Sequence, residues 1–371
     1  MRVYVAATRQ NDGKTVTALG LLSATNAYFE QVGYIKPVGQ QVTTIQGHKI
    51  DKDATLMQEV FGIQNQLTDM SPIAIPRGFT ERYIEKGDPE KLRRKVQQAY
   101  LRASHGKDFM VIEGTGHAGV GSVLDLSNAE VAKLLDAPVV LVTLGGIGRP
   151  IDEVSINKAL FDSLGVKLLG VVINKVREDK YDKIDRLVRD GFSKRGIDVL
   201  GVVPFCPQLS SPTIRQLLED IHGQLLCGEK GLDQSVGKIL VGAMPPHTAL
   251  EFFRGDELLI TPGNREDLIL AALSGCVIGI SKAYCVKGII LTGGIFPNKT
   301  ILKLVKRTNI PMILVKEMTY ETAQRLNNLI VKIRPTDTDK IKRAKSLIKK
   351  HVNIKAIIKK IKDISAAKET E

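Results

Sequence analysis

The sequence predicts an α/β protein: a doubly wound parallel sheet, then a smaller α/β domain, then a basic helical tail. Three observations carry that prediction. Short apolar runs recur along the chain with helical stretches between them. These runs lack the polar–apolar alternation of a half-exposed sheet, as strands covered by helices on both faces do. The first run, Val3-Tyr4-Val5, leads into Gly13-Lys14-Thr15, after which Val16, Leu19, Leu21 and Leu22 repeat at helical spacing.

That first unit has the form of a P-loop: strand, Gly-Lys-Thr turn, helix. Successive backbone N–H groups and a helix N-terminus make an anion cradle. Gly13 lets the backbone approach a phosphate without a Cβ in the way. Asn11, Asp12, Gly13, Lys14, Thr15 and Val16 are the expected nucleotide-binding residues. Lys14 would reach the β/γ-phosphates, and the Thr15 hydroxyl would hold Mg²⁺. The match to the full P-loop pattern is incomplete, because Thr8 stands where the first glycine belongs. An ordinary strand–turn–helix connection is the competing explanation.

Five further strands are expected at 34–38, 109–113, 139–143, 168–173 and 199–203, each ending in a polar or glycine-rich turn. Ligands of such sheets sit beyond the carboxyl ends of the strands. Lys36 would project from the second strand end toward a transferring phosphoryl group or an anionic substrate; a plain surface lysine is the alternative. Asp51 to Met57 reads as a loop entering a helix, where acidic residues are favoured in any case. Glu113 closes an apolar strand, a costly place for a carboxylate without a partner. Mg²⁺ held by Thr15, Asp53 and Glu113 would supply that partner, as would a nearby lysine or helix N-terminus. His117 reads as a loop residue, and Gly145-Gly146-Ile147-Gly148 as a turn or phosphate-side loop. Asn174-Lys175 is the kind of pair that P-loop proteins set against a purine ring.

The totals bound the rest. A chain of 371 residues holds two or three domains. No apolar run approaches a membrane span, and Met-Arg-Val-Tyr-Val enters a strand directly, so no signal peptide and a cytoplasmic location are expected. Four cysteines without metal-binding spacing are expected to be reduced and mostly buried. Of the net charge of +13, residues 339–371 supply +7, from eleven Lys/Arg and four Asp/Glu. A solvated basic helix face accounts for that run; nucleic acid is a weak alternative, because the tail has no Phe, Tyr or Trp. Ile341, Ala344, Leu347, Ile348, Ile354, Ile357, Ile358 and Ile361 form a one-sided apolar stripe. Burial of the stripe against the second domain or a dimer mate is expected over membrane-surface binding.

Residues 1 to about 215 resemble dethiobiotin synthetase and its relatives, P-loop proteins that phosphorylate a carboxylate or carbamate with MgATP. The resemblance rests on Thr8, Gly13-Lys14-Thr15, Lys36-Pro37-Val38, Asp53-Ala54, Glu113-Gly114 with Gly116, Gly170 to Asn174 and Gly201 to Pro204. It implies that Lys36 meets substrate or phosphate, that Lys14 and Lys36 are the catalytic lysines, and that Asp53 and Glu113 hold magnesium. The loop from His117 to Val123 departs from that family, so its substrate site does not carry over. The later half resembles a DRTGG domain, through Arg265 and Thr292-Gly293-Gly294, with Asn264 in place of the Asp. Gly263, Asn264, Arg265, Thr292, Gly293 and Gly294 are candidates for a second ligand site, although tight turns explain them equally well.

This domain order resembles the amino-terminal regulatory half of long phosphotransacetylases. The boundaries expected are a P-loop domain at 1–215, a linker at 216–236, the DRTGG domain at 237–335 and the tail at 336–371. With no phosphotransacetylase catalytic domain following, acetyl transfer is not expected. The resemblance implies a MgATP-binding, nucleotide-responsive regulatory module, with a homodimer held by the DRTGG half and its tail, and a partner enzyme. The alternative is an ATP-dependent ligase acting on a small carboxylate or carbamate. A fragment ending near Ile239 is expected to be a monomer that still binds ATP.

Overall fold

The computed structural model describes residues 1–278, 285–329 and 331–369, and their side chains except at 275–278 and 369. The chain divides into two units, Met1–Cys206 with Ile333–Glu371, and Pro207–Lys332.

All six strands expected in the first unit are present. Their order across the sheet is Val199–Pro204, Leu168–Val176, Val139–Leu144, Arg2–Ala7, Phe109–Glu113 and Val32–Ile35, parallel throughout. Arg2–Ala7 is central, and the later strands lie on both sides of it. Its carboxyl end is therefore the switch point where doubly wound sheets take their ligands. Val3, Tyr4, Val5, Ala6 and Ala7 are all buried. Buried apolar residues on successive positions explain why the strand shows no alternation. The second strand stops at Ile35, short of the Val38 expected. There the Lys36 N–H turns to Met70 O (2.8 Å), and Pro37 has no N–H for a ladder. Val38–Gly39 pairs instead with Ile73–Ala74.

The tail differs from expectation. It forms two helices, Thr338–His351 and Ile354–Glu369, and both pack on the first unit. Gly20, in the middle of the P-loop helix Lys14–Thr25, lies against Ile348, where any Cβ would collide. The Asn353 N–H donates to Leu200 O (2.8 Å), and Val352 bridges to Gly201, so the chain between the helices covers the edge strand. Ile341, Ala344, Ile348, Ile354, Ile357, Ile358 and Ile361 are buried within a single chain. The stripe is thus part of the P-loop unit's own core, not a dimer seam. Two basic residues of the tail pair with carboxylates elsewhere in the same unit: Lys360 with Asp198, Lys368 with Asp136.

The second unit is a five-stranded sheet in the order Gln224–Cys227, Met312–Leu314, Gly288–Thr292, Glu257–Pro262 and Lys238–Val241. Apolar runs at 239–243, 258–261, 288–291, 312–315 and 330–333 give an expectation of five strands, and the first four match. The fifth expected strand, at 330–333, does not: 331–333 carry no strand, and Ile330 lies outside the described residues. Its place is taken by Gln224–Cys227, an antiparallel edge strand inside the stretch expected to be a linker. That stretch also supplies the core residues Leu232 and Val236, beside Ile214, Leu217 and Ile221 of the helix Ile214–Ile221. It is part of the domain because its apolar residues have a core to fill. Cys285 is in a disulfide, which corrects the expectation of four reduced thiols. Among the described residues, no helix is long and apolar enough to cross a membrane.

Candidate functional site

The site sits at the carboxyl end of Arg2–Ala7. Gly13 adopts a left-handed conformation (φ 106°, ψ 26°) and caps the helix Lys14–Thr25, which has no side-chain cap and no acidic residue in its first turn. The helix N-terminus is therefore left positive and open to an anion. A Cβ at Gly13 would run into the Asn174 amide, so glycine is required by both space and backbone angle.

The loop is braced from below. Asn174 Nδ2 donates to Asp12 O (2.7 Å), and Lys175 Nζ donates to Asn11 O (2.8 Å). The pair expected against a purine ring thus holds the phosphate loop in this structure. Thr8, in the first-glycine position, has a role of its own. Its hydroxyl lies 2.8 Å from Asp12 Oδ2, 3.0 Å from Thr143 Oγ1 and 3.2 Å from Glu153 Oε2. Burial raises the Asp12 pKa, opposed by the Thr8 hydrogen bond and by Lys14. Lys14 is buried, and its Nζ donates to Arg9 O at 3.1 Å. Burial lowers its pKa to about 8, against the pull of Glu113. A phosphate would restore the charged form.

Behind the loop lies a buried ionic cluster. Lys36 Nζ contacts Asp53, and lies 3.2 Å from Asp51 Oδ1 and 3.8 Å from Glu113 Oε1. Burial disfavours the ammonium, but Asp53, Glu113 and Asp51 together raise the Lys36 pKa. Thr15 Oγ1 donates to Glu113 Oε1 (2.7 Å), and Tyr34 OH donates to Glu113 Oε2 (2.8 Å). Burial raises the Glu113 pKa, while Lys36 opposes the shift. Asp51 caps the helix Lys52–Phe61, its Oδ1 accepting from the Asp53 N–H (2.9 Å). Its Oδ2 accepts from the Gln41 N–H (3.1 Å). The structure therefore brings Lys14, Thr15, Lys36, Asp53 and Glu113 together, as the sequence suggested. It adds Asp51 and Tyr34, which sequence reasoning missed. His117 is an exposed loop residue, as expected.

The donor set fits Mg²⁺. Thr15, Asp53 and Glu113 offer hard oxygen donors, and a cation, the Lys36 ammonium, already sits against both carboxylates. Among the described residues, no three His, Cys, Asp or Glu side chains form a ready-made metal cage. Mg²⁺ asks for less: one or two carboxylates, with waters and phosphates completing its shell.

The candidate second site looks different. Gly263 packs on Ile295, so the two turns meet. Arg265 makes a two-pronged pair with Asp267 (3.0 Å each) and donates to Met244 O (3.1 Å). The Gly293 and Gly294 N–H groups donate to Glu317 O and Val315 O, both at 2.8 Å. Thr292 pairs with Thr319 at 2.8 Å. Asn264 is exposed. The hydroxyl of buried Thr261, two residues before Gly263, has no partner among the described residues.

Comparison with known proteins agrees with this division. Residues 1–213 match a family described as AAA domain, and residues 216–329 match the DRTGG domain. The phosphate acetyltransferase of Nitratidesulfovibrio vulgaris is 27% identical over 361 residues, 95% of this chain and 50% of that protein. The phosphate acetyltransferase of Pseudomonas putida is 28% identical over 364 residues, 94% of this chain and 50% of that protein. The chain thus spans about half the length of the curated relatives it matches. Among solved structures, the MinC:MinD cell division complex of Aquifex aeolicus is 12% identical, covering 56% of this chain and 83% of that one, with a TM-score of 0.35. The CBS and DRTGG domains of the Clostridium perfringens pyrophosphatase regulatory region are 15% identical, covering 54% and 75%, with a TM-score of 0.29. Likenesses that shallow add nothing to the fold already described. The family match over more than half of the chain is decisive: the protein belongs to the AAA domain family, with a DRTGG domain following.

Proposed function

We propose that the first unit binds MgATP and that the chain acts as a nucleotide-responsive regulatory module for a partner enzyme. One observation carries the reading: a helix N-terminus without a side-chain cap opens at left-handed Gly13, with Lys14 as its first residue and the Lys36, Asp53, Glu113 cluster directly behind. In this reading Asn11 to Val16 wrap the phosphates, with Lys14 as their charged contact. Asn174 and Lys175 hold the loop and border the base. Thr15, Asp53 and Glu113 hold Mg²⁺, whose chemistry is to neutralise the phosphate oxygens. The relatives' name supports a link to phosphate acetyltransferases, but the reading assigns no acetyl transfer to these two domains. Formation of acetyl phosphate by the purified chain would overturn that assignment.

The ligase reading keeps one observation on its side. Lys36 is a buried cation at a strand end, suited to an anionic substrate as well as to phosphate. ADP release that depends on an added small carboxylate would favour it. Dimerisation stays with the second unit, where Phe296, Met318 and Tyr320 are exposed apolar residues. Light scattering on Phe296→Asp tests that, with a monomer expected.

Calorimetry tests the main reading. Lys14→Ala should weaken MgATP binding at least tenfold, about 1.4 kcal/mol or more. Equal affinity in mutant and parent would sink it.

A further inference from the structure

Within the buried cluster, the Lys36 ammonium faces three carboxylates. The side chains of Lys36, Asp51, Asp53 and Glu113 are 6%, 0%, 3% and 1% exposed. Buried carboxylates are expensive unless cations lie beside them, so these oxygens are a favourable place for positive charge.

The space for that ion is already in use. Lys36 Nζ contacts Asp53 and approaches Glu113 Oε1 to 3.8 Å. These are the two carboxylates that the proposed reading gives to magnesium. Mg²⁺ binds oxygens at about 2.0–2.1 Å in a strict octahedron. An ammonium needs about 2.8 Å to each oxygen that it serves. The oxygen that faces the ammonium, Asp53 Oδ2, is not open to the metal at the same time.

Asp51 gives the lysine somewhere to stay. Both of its oxygens are fixed by backbone N–H groups, Asp53 N at 2.9 Å and Gln41 N at 3.1 Å. It caps a helix, and those hydrogen bonds would be lost if it moved. Lys36 already lies 3.2 Å from its Oδ1.

We propose that the Lys36 ammonium is a place-holder for the divalent cation: it covers Asp53 and Glu113 in the metal-free protein and yields them when the metal enters. Lys36 and the metal then exclude each other at those oxygens. Asp51 is the pivot that keeps the lysine nearby. The lysine freed in this way is the one able to meet a phosphate or an anionic substrate, so metal entry arms it. The inference rests on the reading in which Asp53 and Glu113 hold the cation.

The experiment uses the full chain without nucleotide, with Mn²⁺ alone as the probe, followed by paramagnetic resonance of the free ion. Lys36→Met should bind Mn²⁺ at least tenfold more tightly than the parent. Unchanged or weaker binding overturns the proposal. Adding Asp53→Asn to Lys36→Met should remove the gain; a gain that survives places the ion elsewhere and also overturns it. Lys36→Met leaves three buried carboxylates, so the variant can lose its fold without metal. Circular dichroism then decides: recovery of the fold on adding Mn²⁺ supports the place-holder, and no recovery contradicts it. A parallel MgATP titration of the parent separates the two readings. If the parent binds MgATP but Lys36→Met gains no Mn²⁺ affinity, only the place-holder falls. If the parent binds no MgATP, the nucleotide reading falls and the Mn²⁺ result still judges the place-holder.

Discussion

Both units end a parallel strand in a glycine-containing turn that opens a helix, yet the two turns are chemically opposite. The helix Lys14–Thr25 has no acidic residue in its first turn and no side-chain cap. The helix Glu266–Ile278 begins with Glu266 and Asp267. Its N-terminal charge is therefore met from within, and an incoming anion would face two carboxylates. The cations differ in the same sense. Lys14 is buried, and among the described residues its one acceptor is a loop carbonyl, whereas Arg265 is held by Asp267. The N–H groups of Gly293 and Gly294 are spent on their own backbone. A glycine-rich strand end is suited to an anion only where donors and positive charge are left over. The first unit leaves them, and the second uses them to hold its turns.

The comparison is broken most severely by removing what supports the first turn. Ending the chain near Arg334 strips both tail helices from the P-loop unit. Four buried isoleucines alone, Ile341, Ile348, Ile357 and Ile361, represent roughly 5 kcal/mol or more of apolar burial. We expect the P-loop unit to lose cooperative unfolding in denaturant. The same reasoning removes the basis for an ATP-binding fragment ending near Ile239, since that fragment also lacks the tail. A truncated chain with an unchanged unfolding curve would show that the tail is ornamental.

Ile348→Ala is a finer version of the same cut. It opens a cavity over Gly20 and should cost about 2–5 kcal/mol, measured by urea unfolding. Two glycine substitutions then set the turns side by side. Gly13→Ala meets both a left-handed backbone (φ 106°) and the Asn174 amide, so nucleotide binding should be lost. Gly294→Ala meets a left-handed backbone (φ 66°) but open space, with its nearest atom at 4.0 Å. It should cost only about 1–2 kcal/mol of strain and leave nucleotide affinity unchanged.

The smallest effect concerns acid. His351 Nδ1 lies 3.2 Å from Tyr181 OH, within the tail contact. Burial lowers its pKa, helped by Lys350. A histidine depressed in the folded state contributes stability above its unfolded value of 6.5. That stability is lost as pH falls through the folded value, because the unfolded chain takes up the proton first. His351→Gln should flatten the stability profile below about pH 6.5; an unchanged slope would assign the acid sensitivity elsewhere.

Much of this was legible in the sequence because its physics is local. The six strands of the first sheet are continuous apolar runs, and a strand buried on both faces leaves that trace. Lys14, Thr15, Asp53 and Glu113 stand at strand or helix ends, where a charged or hydroxyl side chain is conspicuous. Asp51 was hidden, because an acidic residue before a helix already has a sufficient reason to be there. Tyr34 was hidden too: an apolar strand accepts a tyrosine, and its partner Glu113 is 79 residues away. The tail's destination was non-local in the same way. Its stripe showed that something covers it, not what. Two signals pointed to the answer: Gly20 inside a helix and Gly201 inside a strand, each a place where another backbone or a β-branched side chain comes close. The edge strand Gln224–Cys227 is only four residues long and antiparallel, so no crossover pattern announced it.

The central proposal is that one strand-end turn of this chain binds nucleotide and the other does not. The most direct measurement is a calorimetric MgATP titration of the full chain beside Lys14→Ala and Arg265→Ala. The account predicts one site per chain in the parent, affinity at least tenfold weaker in Lys14→Ala, and a parent-like isotherm for Arg265→Ala. A second site in the parent, or a loss on Arg265→Ala matching that on Lys14→Ala, would contradict it.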